Sequence, residues 1–565
     1  MKKYLLWTFG ILFVYRFILA LQGFDLTDEG FVLTFYQQIF HAPETVEYQF
    51  LYYLASLIGG VWNFLFGFGG IFSFRILAII VDLLIIYVTC LTVKKYLRPQ
   101  PQLILIAALF IALFHFGVTV FHHNQLTALL IAISVYFILK GLNAKDSHRP
   151  LFWGAFFCGV NIFTRIPNVT MIGLGLLLFV DYYYEKNSRR LWKNISYSFL
   201  GLISGILLVL AIMFFCGHLE IFRQSIVNNL FNLATEDTST HSLVHQIKSN
   251  LANYEAVYIY LSVFVLTTGL CIFVYNQFKN KWAGILSIIF YSALVLTFFI
   301  AFDFNNGKYY ALILLPLLIS LVVDRHNKSI MLLNMASLLV LFLLPLGSGL
   351  GIRDIGKSCI WLGTFVTVIH VFRFIQYQIK SKGNDTYRTF FVLFFALYVI
   401  SCLVNVSYKA YCDDGSRLEK RYRTDNSKFT VFTTKDKADA INELLFSLNK
   451  YVKKDDYLLC FESLPMIHYL TETKPYIGVS WVWCYTPGNF KKHLDQSVAT
   501  LPLPVVLQQK CQPIGGNWTV PEYVDKKSDP FLYNMERIGY FEKFIRDNQY
   551  KVTWENDLFV IYTVK

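Results

Sequence analysis

Charge is what this sequence has least of. Asp, Glu, Lys and Arg make up 15% of its 565 residues, against about 25% in a soluble protein. Apolar residues stand in their place at 55%, with 53 Phe and 36 Tyr, where about 45–50% is usual. So much apolar surface excludes a disordered chain. It comes in long unbroken runs, which excludes a single soluble core as well. No internal repeat or low-complexity tract is present. No cysteine spacing resembles a zinc site. No small-x-small cleavage site follows the first apolar run, which Arg16 interrupts, so that run reads as an uncleaved anchor.

The net charge of +13 is unevenly spread. Residues 1–407 hold 28 basic and 17 acidic side chains, and residues 408–565 hold 22 and 20. The excess lies in short loops between apolar runs. That is a membrane topology signal and not a nucleic-acid-binding face.

A bilayer core about 30 Å thick takes roughly 20 apolar residues in a helix. About thirteen segments qualify on the scale of that rule, near 4–21, 71–93, 102–120, 124–141, 151–164, 168–184, 195–216, 256–275, 282–302, 309–323, 330–347, 358–377 and 389–407. The fifth and sixth flank Thr164-Arg165-Ile166-Pro167-Asn168. Pro167 disfavours helix just before it, so a tight hairpin is expected there. With the N-terminus in the cytoplasm, 20 basic residues fall on the cytoplasmic side and seven on the other. That asymmetry orients the chain in the plasma (inner) membrane, with residues 408–565 outside the cytoplasm.

Beyond Tyr408 apolar runs shrink to strand length. Phe429–Thr433, Tyr457–Phe461, Val505–Gln508 and Leu558–Thr563 read as strands. Lys435–Tyr451 and Met535–Asn548 read as amphipathic helices. The expected fold is a membrane all-α bundle, residues 1–407, with amphipathic juxtamembrane helices, plus an extracytoplasmic α/β domain, residues 408–565. Cys412, Cys460, Cys484 and Cys511 of the outer domain are disulfide partners or buried free thiols.

Five carboxylates and no basic residue occupy Gln22–Tyr53. Amphipathic stretches at Phe31–Phe40 and Phe50–Phe66 suit the membrane interface. The loop is expected to fold back on the bilayer and hold its carboxylates at headgroup level. Such carboxylates act as general bases or metal ligands. The plainer reading of Asp28-Glu29 is a helix start capped by Thr27.

Asp28-Glu29-Gly30-Phe31, then Glu47-Tyr48-Gln49-Phe50, resembles the acidic first outer loop of the GT-C class of membrane glycosyltransferases. The likeness is to the protein mannosyltransferase and lipid A aminoarabinose transferase group. Tyr48-Gln49 stands where the aminoarabinose transferases have Lys-Pro. Phe74-Arg75-Ile76-Leu77, Thr164-Arg165-Ile166-Pro167 and Lys308-Tyr309-Tyr310 with Pro316 resemble further landmarks of that group, in order. The resemblance covers 1–407.

It implies transfer of a sugar from a polyprenyl-phosphate donor to a lipid, glycan or protein acceptor, assisted by a divalent metal ion. Asp28 is then the base, with Glu29 orienting it or assisting a metal. Arg165 and Lys308 would contact the donor phosphate and Tyr309 the substrate, with Asp303 a substrate contact or a polar turn. Glu47, His122 and His123 would hold the metal. Asp82, deep in the second span, reads as a structural partner of Arg16. The competing readings are a polytopic transporter or flippase, and a membrane polysaccharide polymerase or ligase. Repeats and broken mid-membrane helices would mark the former. A large late loop with catalytic Arg and His would mark the latter.

Overall fold

The computed structural model describes residues 2–113, 117–144, 148–230, 243–279, 281–301, 306–382, 385–510, 516–519 and 535–564. Each of the thirteen expected segments overlaps a described helix, although 102–120 is helical only as far as Leu113: residues 114–116 lie outside the described residues and 117–120 are not helical. The elements that carry the argument are α1 (Lys2–Ala20), α2 (Asp28–Gln38), α3 (Tyr53–Phe66), α4 (Gly70–Leu97), α5 (Pro101–Leu113), α6 (His123–Leu142) and α7 (Arg149–Ile162). The later bundle helices include Ser188–Phe215, Asn306–Val323, Lys357–Lys382 and Thr386–Tyr408. Among the described residues nine helical stretches are long and apolar enough to cross a membrane, and three more are apolar but shorter. Their outer faces carry exposed Phe215, Leu266 and Trp282. Such a surface suits hydrocarbon and not water.

Helices approach closely where side chains are absent. A Cβ on Gly201 would lie 2.1 Å from the Phe152 carbonyl, and one on Gly205 2.2 Å from that of Phe156. These glycines let Ser188–Phe215 lie against α7. The chain leaves α7 at Ile162 and resumes as a 3-10 turn at Ile166–Gly175, so Thr164-Arg165 forms the expected hairpin tip.

The first loop departs from expectation. α2 and α3 form, yet α2 does not lie free along an interface. It is buried from Glu29 to Tyr36, packed beneath the helix Pro465–Thr471 of the C-terminal part. Gly30 permits that approach: a Cβ there would stand 2.1 Å from the Met466 nitrogen, which itself donates to the Leu26 carbonyl at 3.0 Å. Backbone cannot yield as a side chain does. Gly30→Ala is therefore expected to destabilise this docking by about 1–3 kcal/mol. Thermal unfolding of the purified chain measures it, with membrane insertion unchanged.

The C-terminal part builds a five-stranded sheet in the order β2-β1-β3-β5-β4. β1 (Tyr457–Phe461) runs parallel to β2 (Lys474–Pro475) and β3 (Val505–Gln509), and β5 (Phe559–Thr563) is antiparallel to β3 and β4 (Lys551–Glu555). Three of the four expected strands are β1, β3 and β5. The fourth, Phe429–Thr433, joins no sheet. It pairs instead with the end of the first span: Phe432 N donates to Leu21 O and Gly23 N to Phe432 O, both at 2.8 Å. Cys412, Cys460 and Cys484 are free thiols, and Cys511 lies outside the described residues.

Two histidines make this part acid-sensitive. Burial holds the His468 imidazole down to about 3, and burial with Lys492 nearby holds His493 down to about 4. Both folded values lie below the unfolded value of about 6.5. The native state therefore binds fewer protons, and the stability it gains is complete above about pH 6.5 and lost as pH falls below it. Unfolding of the C-terminal part is expected to become easier between pH 7 and 5. Hydrogen exchange at the two pH values measures this, and His468→Gln with His493→Gln flattens the dependence.

Candidate active site

The chain turns out of α1 into a segment held almost wholly by one arginine. Arg75, near the start of α4, donates from Nη1 to the carbonyls of Ala20 (3.0 Å) and Gln22 (3.1 Å), and from Nη2 to that of Gly23 (2.8 Å). Its Nη2 also meets Glu29 Oε2 at 2.8 Å. The other Glu29 oxygen accepts from Thr119 N at 3.2 Å and from the Thr119 hydroxyl. Glu29 is thus the buried end of an ion pair that fixes the loop. It is expected beside Asp28 as an orienting acid, and the structure commits its carboxylate to Arg75 and Thr119.

The cap also differs from expectation. Thr27 makes no side-chain cap bond. Asp25 takes that role, accepting from Thr27 N (2.8 Å), Thr27 Oγ1 (2.6 Å) and Glu29 N (2.9 Å). Burial, and then the Asp28 and Glu29 charges, push the Asp25 carboxyl well above the usual range.

Asp28 points the other way, into a cavity of about 350 Å³. The polar lining comprises Arg16 of α1, Asp82 of α4, His122 to Gln125 at the start of α6, Asn306, Arg353, Lys357 and Ser358, and Tyr411. These come from the last two turns of α1, the middle of α4 and the first turns of α6, Asn306–Val323 and Lys357–Lys382. The cavity therefore lies toward one end of the bundle, beneath the C-terminal part. Tyr411 closes it, with its hydroxyl donating to Asp28 Oδ2.

A tight turn mounts Tyr411. Cys412 has φ +48°, and Asp413 anchors the turn. Its carboxylate accepts from Phe24 N (2.9 Å) and Thr433 Oγ1 (2.9 Å) and is paired with Lys437 (2.6 Å) and Lys420 (3.0 Å). Residues 409–433 thus bind the seam between loop and sheet.

Asp28, His122 and His123 line the same cavity. The Arg16–Asp82 pair also forms, Nη2 to Oδ2 at 3.4 Å, and both line the same space. Other expected residues do not reach it. Lys308 is buried and donates to the Phe298 carbonyl at 2.7 Å. Tyr309 is buried against Tyr398, hydroxyl to hydroxyl at 3.2 Å. Arg165 does not line the cavity but lies near enough to His123 for its charge to act on that ring. Its Nη1 is buried without a hydrogen-bond partner among the described residues. Asp303 lies outside the described residues.

The metal ligands expected from sequence do not gather. Glu47 accepts from Asn228 Nδ2 at 3.2 Å and Asn229 Nδ2 at 3.4 Å. The segment carrying it is drawn to the C-terminal part, where Tyr48 N donates to Gly478 O at 3.1 Å. His122 Nδ1 bonds the Val120 carbonyl at 3.1 Å, and His123 stacks on Tyr52 with ring centres 4.2 Å apart. Among the described residues no group of three or more His, Cys, Asp or Glu is placed to hold a metal ion.

Sequence reasoning missed Arg353, Lys357 and Tyr411. The signal for the first two was the spacing in Gly351-Ile352-Arg353-Asp354-Ile355-Gly356-Lys357, two cations one helical turn apart at the mouth of a span. They were counted only as loop charge. Nothing local marks Tyr411.

No family model and no curated protein matches the chain. Among solved structures it is similar to the oligosaccharyltransferase of Archaeoglobus fulgidus in complex with Zn and sulfate, at 9% identity and a TM-score of 0.47, over 88% of this chain and 68% of that one. It is also similar to ArnT from Cupriavidus metallidurans bound to undecaprenyl phosphate, at 11% identity and a TM-score of 0.43, over 100% of this chain and 98% of that one. The same ArnT in its apo state gives 11% identity and a TM-score of 0.39, over 98% and 96%.

Proposed function

We propose that the protein is an integral membrane glycosyltransferase that moves a sugar from a polyprenyl-phosphate donor to an acceptor hydroxyl on the non-cytoplasmic side. One observation carries the reading. The first acid of the Asp28-Glu29 pair lines a cavity shared with cations and histidines, toward one end of an apolar helical bundle.

The chemistry needs a base and positive charge in one place. The acceptor oxygen attacks the anomeric carbon, and a new C–O bond forms as the bond to the phosphate oxygen breaks. The acceptor proton passes to Asp28. The electron pair leaves on the phosphate, whose negative charge the cavity cations offset. The Tyr411 hydroxyl holds the Asp28 carboxylate at the cavity. The isoprenoid tail remains among the apolar helices. No step is assigned to a metal, because the described residues do not assemble a donor set for one. Membrane lipids surround the bundle, and nucleic acid has no part in the reaction.

Mass spectrometry of lipids that co-purify with the chain tests the reading. A polyprenyl phosphate, or its glycosylated form, is expected. Only glycerophospholipids, together with no sugar transfer from polyprenyl-phosphate donors, would contradict it.

A further inference from the structure

The bundle holds a second space that the transfer chemistry does not use. An apolar cleft of about 280 Å³ lies between α5 and the helices Leu243–Gln277, Asn306–Val323, Lys357–Lys382 and Thr386–Tyr408. Among the described residues no charged side chain lines it. Thr364 and Thr367, in its wall, spend their hydroxyls on the carbonyls of Ile360 (2.8 Å) and Ile313 (3.2 Å). Two lining residues, Val265 and Phe374, are exposed, so the cleft opens sideways to the bilayer. Such a space takes a hydrocarbon chain.

The cleft is not an extension of the Asp28 cavity. The two spaces share no lining residue. On α5, Ile106 and Phe110 line the cleft, while Ile111 and Ala112 line the cavity. At about 100° per residue these pairs lie on opposite sides of the helix, so α5 stands between the two spaces. Tyr398 fixes that wall, with its ring 4.4 Å from the Phe110 ring and its hydroxyl donating to the Phe110 carbonyl. Along Lys357–Lys382 the first turns, at Lys357, Ser358 and Trp361, line the cavity, and positions from Thr364 to Ile375 line the cleft. The cleft therefore occupies the half of the bundle farther from Asp28.

Positive charge gathers at that far end. Lys279 and Lys281 stand in the turn between Leu243–Gln277 and Trp282–Leu296, and Arg388 follows the lining residue Tyr387. All three are exposed, and none makes an ion pair among the described residues. Trp282 beside them is exposed as well, as suits the headgroup level. The charge asymmetry that orients the chain puts this end at the cytoplasmic leaflet, where anionic phospholipids attract basic side chains. We infer that the cleft seats an acyl chain of an anionic phospholipid of the cytoplasmic leaflet, and that Lys279, Lys281 and Arg388 hold its headgroup phosphate. The site does not depend on the transferase reading.

The full chain is reconstituted in phosphatidylcholine nanodiscs with a trace of phosphatidylglycerol that carries a diazirine on one acyl chain. After irradiation, mass spectrometry locates the labelled peptides. Label is expected within residues 364–375 and 387–395. The same diazirine on phosphatidylcholine should label these segments about tenfold less, since it offers the cations no net negative charge. Lys281→Gln and Arg388→Gln should each lower the phosphatidylglycerol yield about fivefold, the worth of one cation near a headgroup, and leave the phosphatidylcholine yield unchanged. Added undecaprenyl phosphate should leave the label in place.

Label spread evenly over the bilayer-facing helices overturns the cleft as a site. Equal yields from the two lipids, or unchanged yields in both variants, would mean that the cations serve topology alone and overturn the headgroup assignment. Loss of the label on adding undecaprenyl phosphate would give the cleft to an isoprenoid tail and overturn its assignment to a phospholipid. The labelling pattern is read on the unaltered chain, and both substitutions lie at exposed positions, so misfolding does not enter the comparison.

Discussion

Asp28→Asn is expected to abolish sugar transfer, lowering the rate at saturating donor by about 10²–10⁴-fold, the span of general-base contributions. The substitution is nearly isosteric. Its amide oxygen still accepts from the Tyr411 hydroxyl, so loop and seam keep their geometry. Donor binding should survive, because the charge that holds a phosphate comes from other residues of the cavity. Transfer rate and donor affinity measured side by side on reconstituted protein separate the two effects. A well-inserted Asp28→Asn chain with full activity would remove the proposed base.

The second large effect is structural. Arg75→Met strips four hydrogen bonds and leaves the Glu29 carboxylate buried against Thr119 alone. Removing one partner of a buried pair costs about 3–5 kcal/mol. The same segment positions Asp28, so activity should fall with stability. Adding Glu29→Gln removes the stranded charge. The double variant should therefore be more stable than Arg75→Met alone, a coupling that thermal unfolding of the three chains measures. If Arg75→Met melts as the parent does, the clamp is not what holds the loop.

These two predictions show what could be read from the chain and what could not. The bundle helices were legible because hydrocarbon thickness imposes a length and a composition on each segment separately. Asp28 was legible because its neighbours, Glu29, Gly30 and Phe31, form a local pattern. Arg75 and Glu29 were both in view, yet their pairing spans 46 residues, and no periodicity connects them. Glu47 and the two histidines looked alike as polar residues in outer loops. Only folding reveals that one faces Asn228 and the others line a cavity with Asp28. Lys308 stood at the mouth of a span as expected, but the Phe298 carbonyl claims it. The strand expected at Phe429–Thr433 has the right alternation and the wrong partner: the end of the first span reaches it before any sheet edge does. Tyr411 had no local mark at all, since its importance comes from a turn that Asp413, Lys420 and Lys437 hold in place.

Transfer on the non-cytoplasmic side requires that Asp28 and the cations at Arg353 and Lys357 open to the same non-cytoplasmic space. Single cysteines at 28 and 353, in a chain whose exposed Cys216 is replaced, test it in oriented vesicles with a membrane-impermeant thiol reagent. Both positions are expected to label from the non-cytoplasmic side, and bound undecaprenyl phosphate should protect both. Labelling of the two from opposite sides would contradict the account.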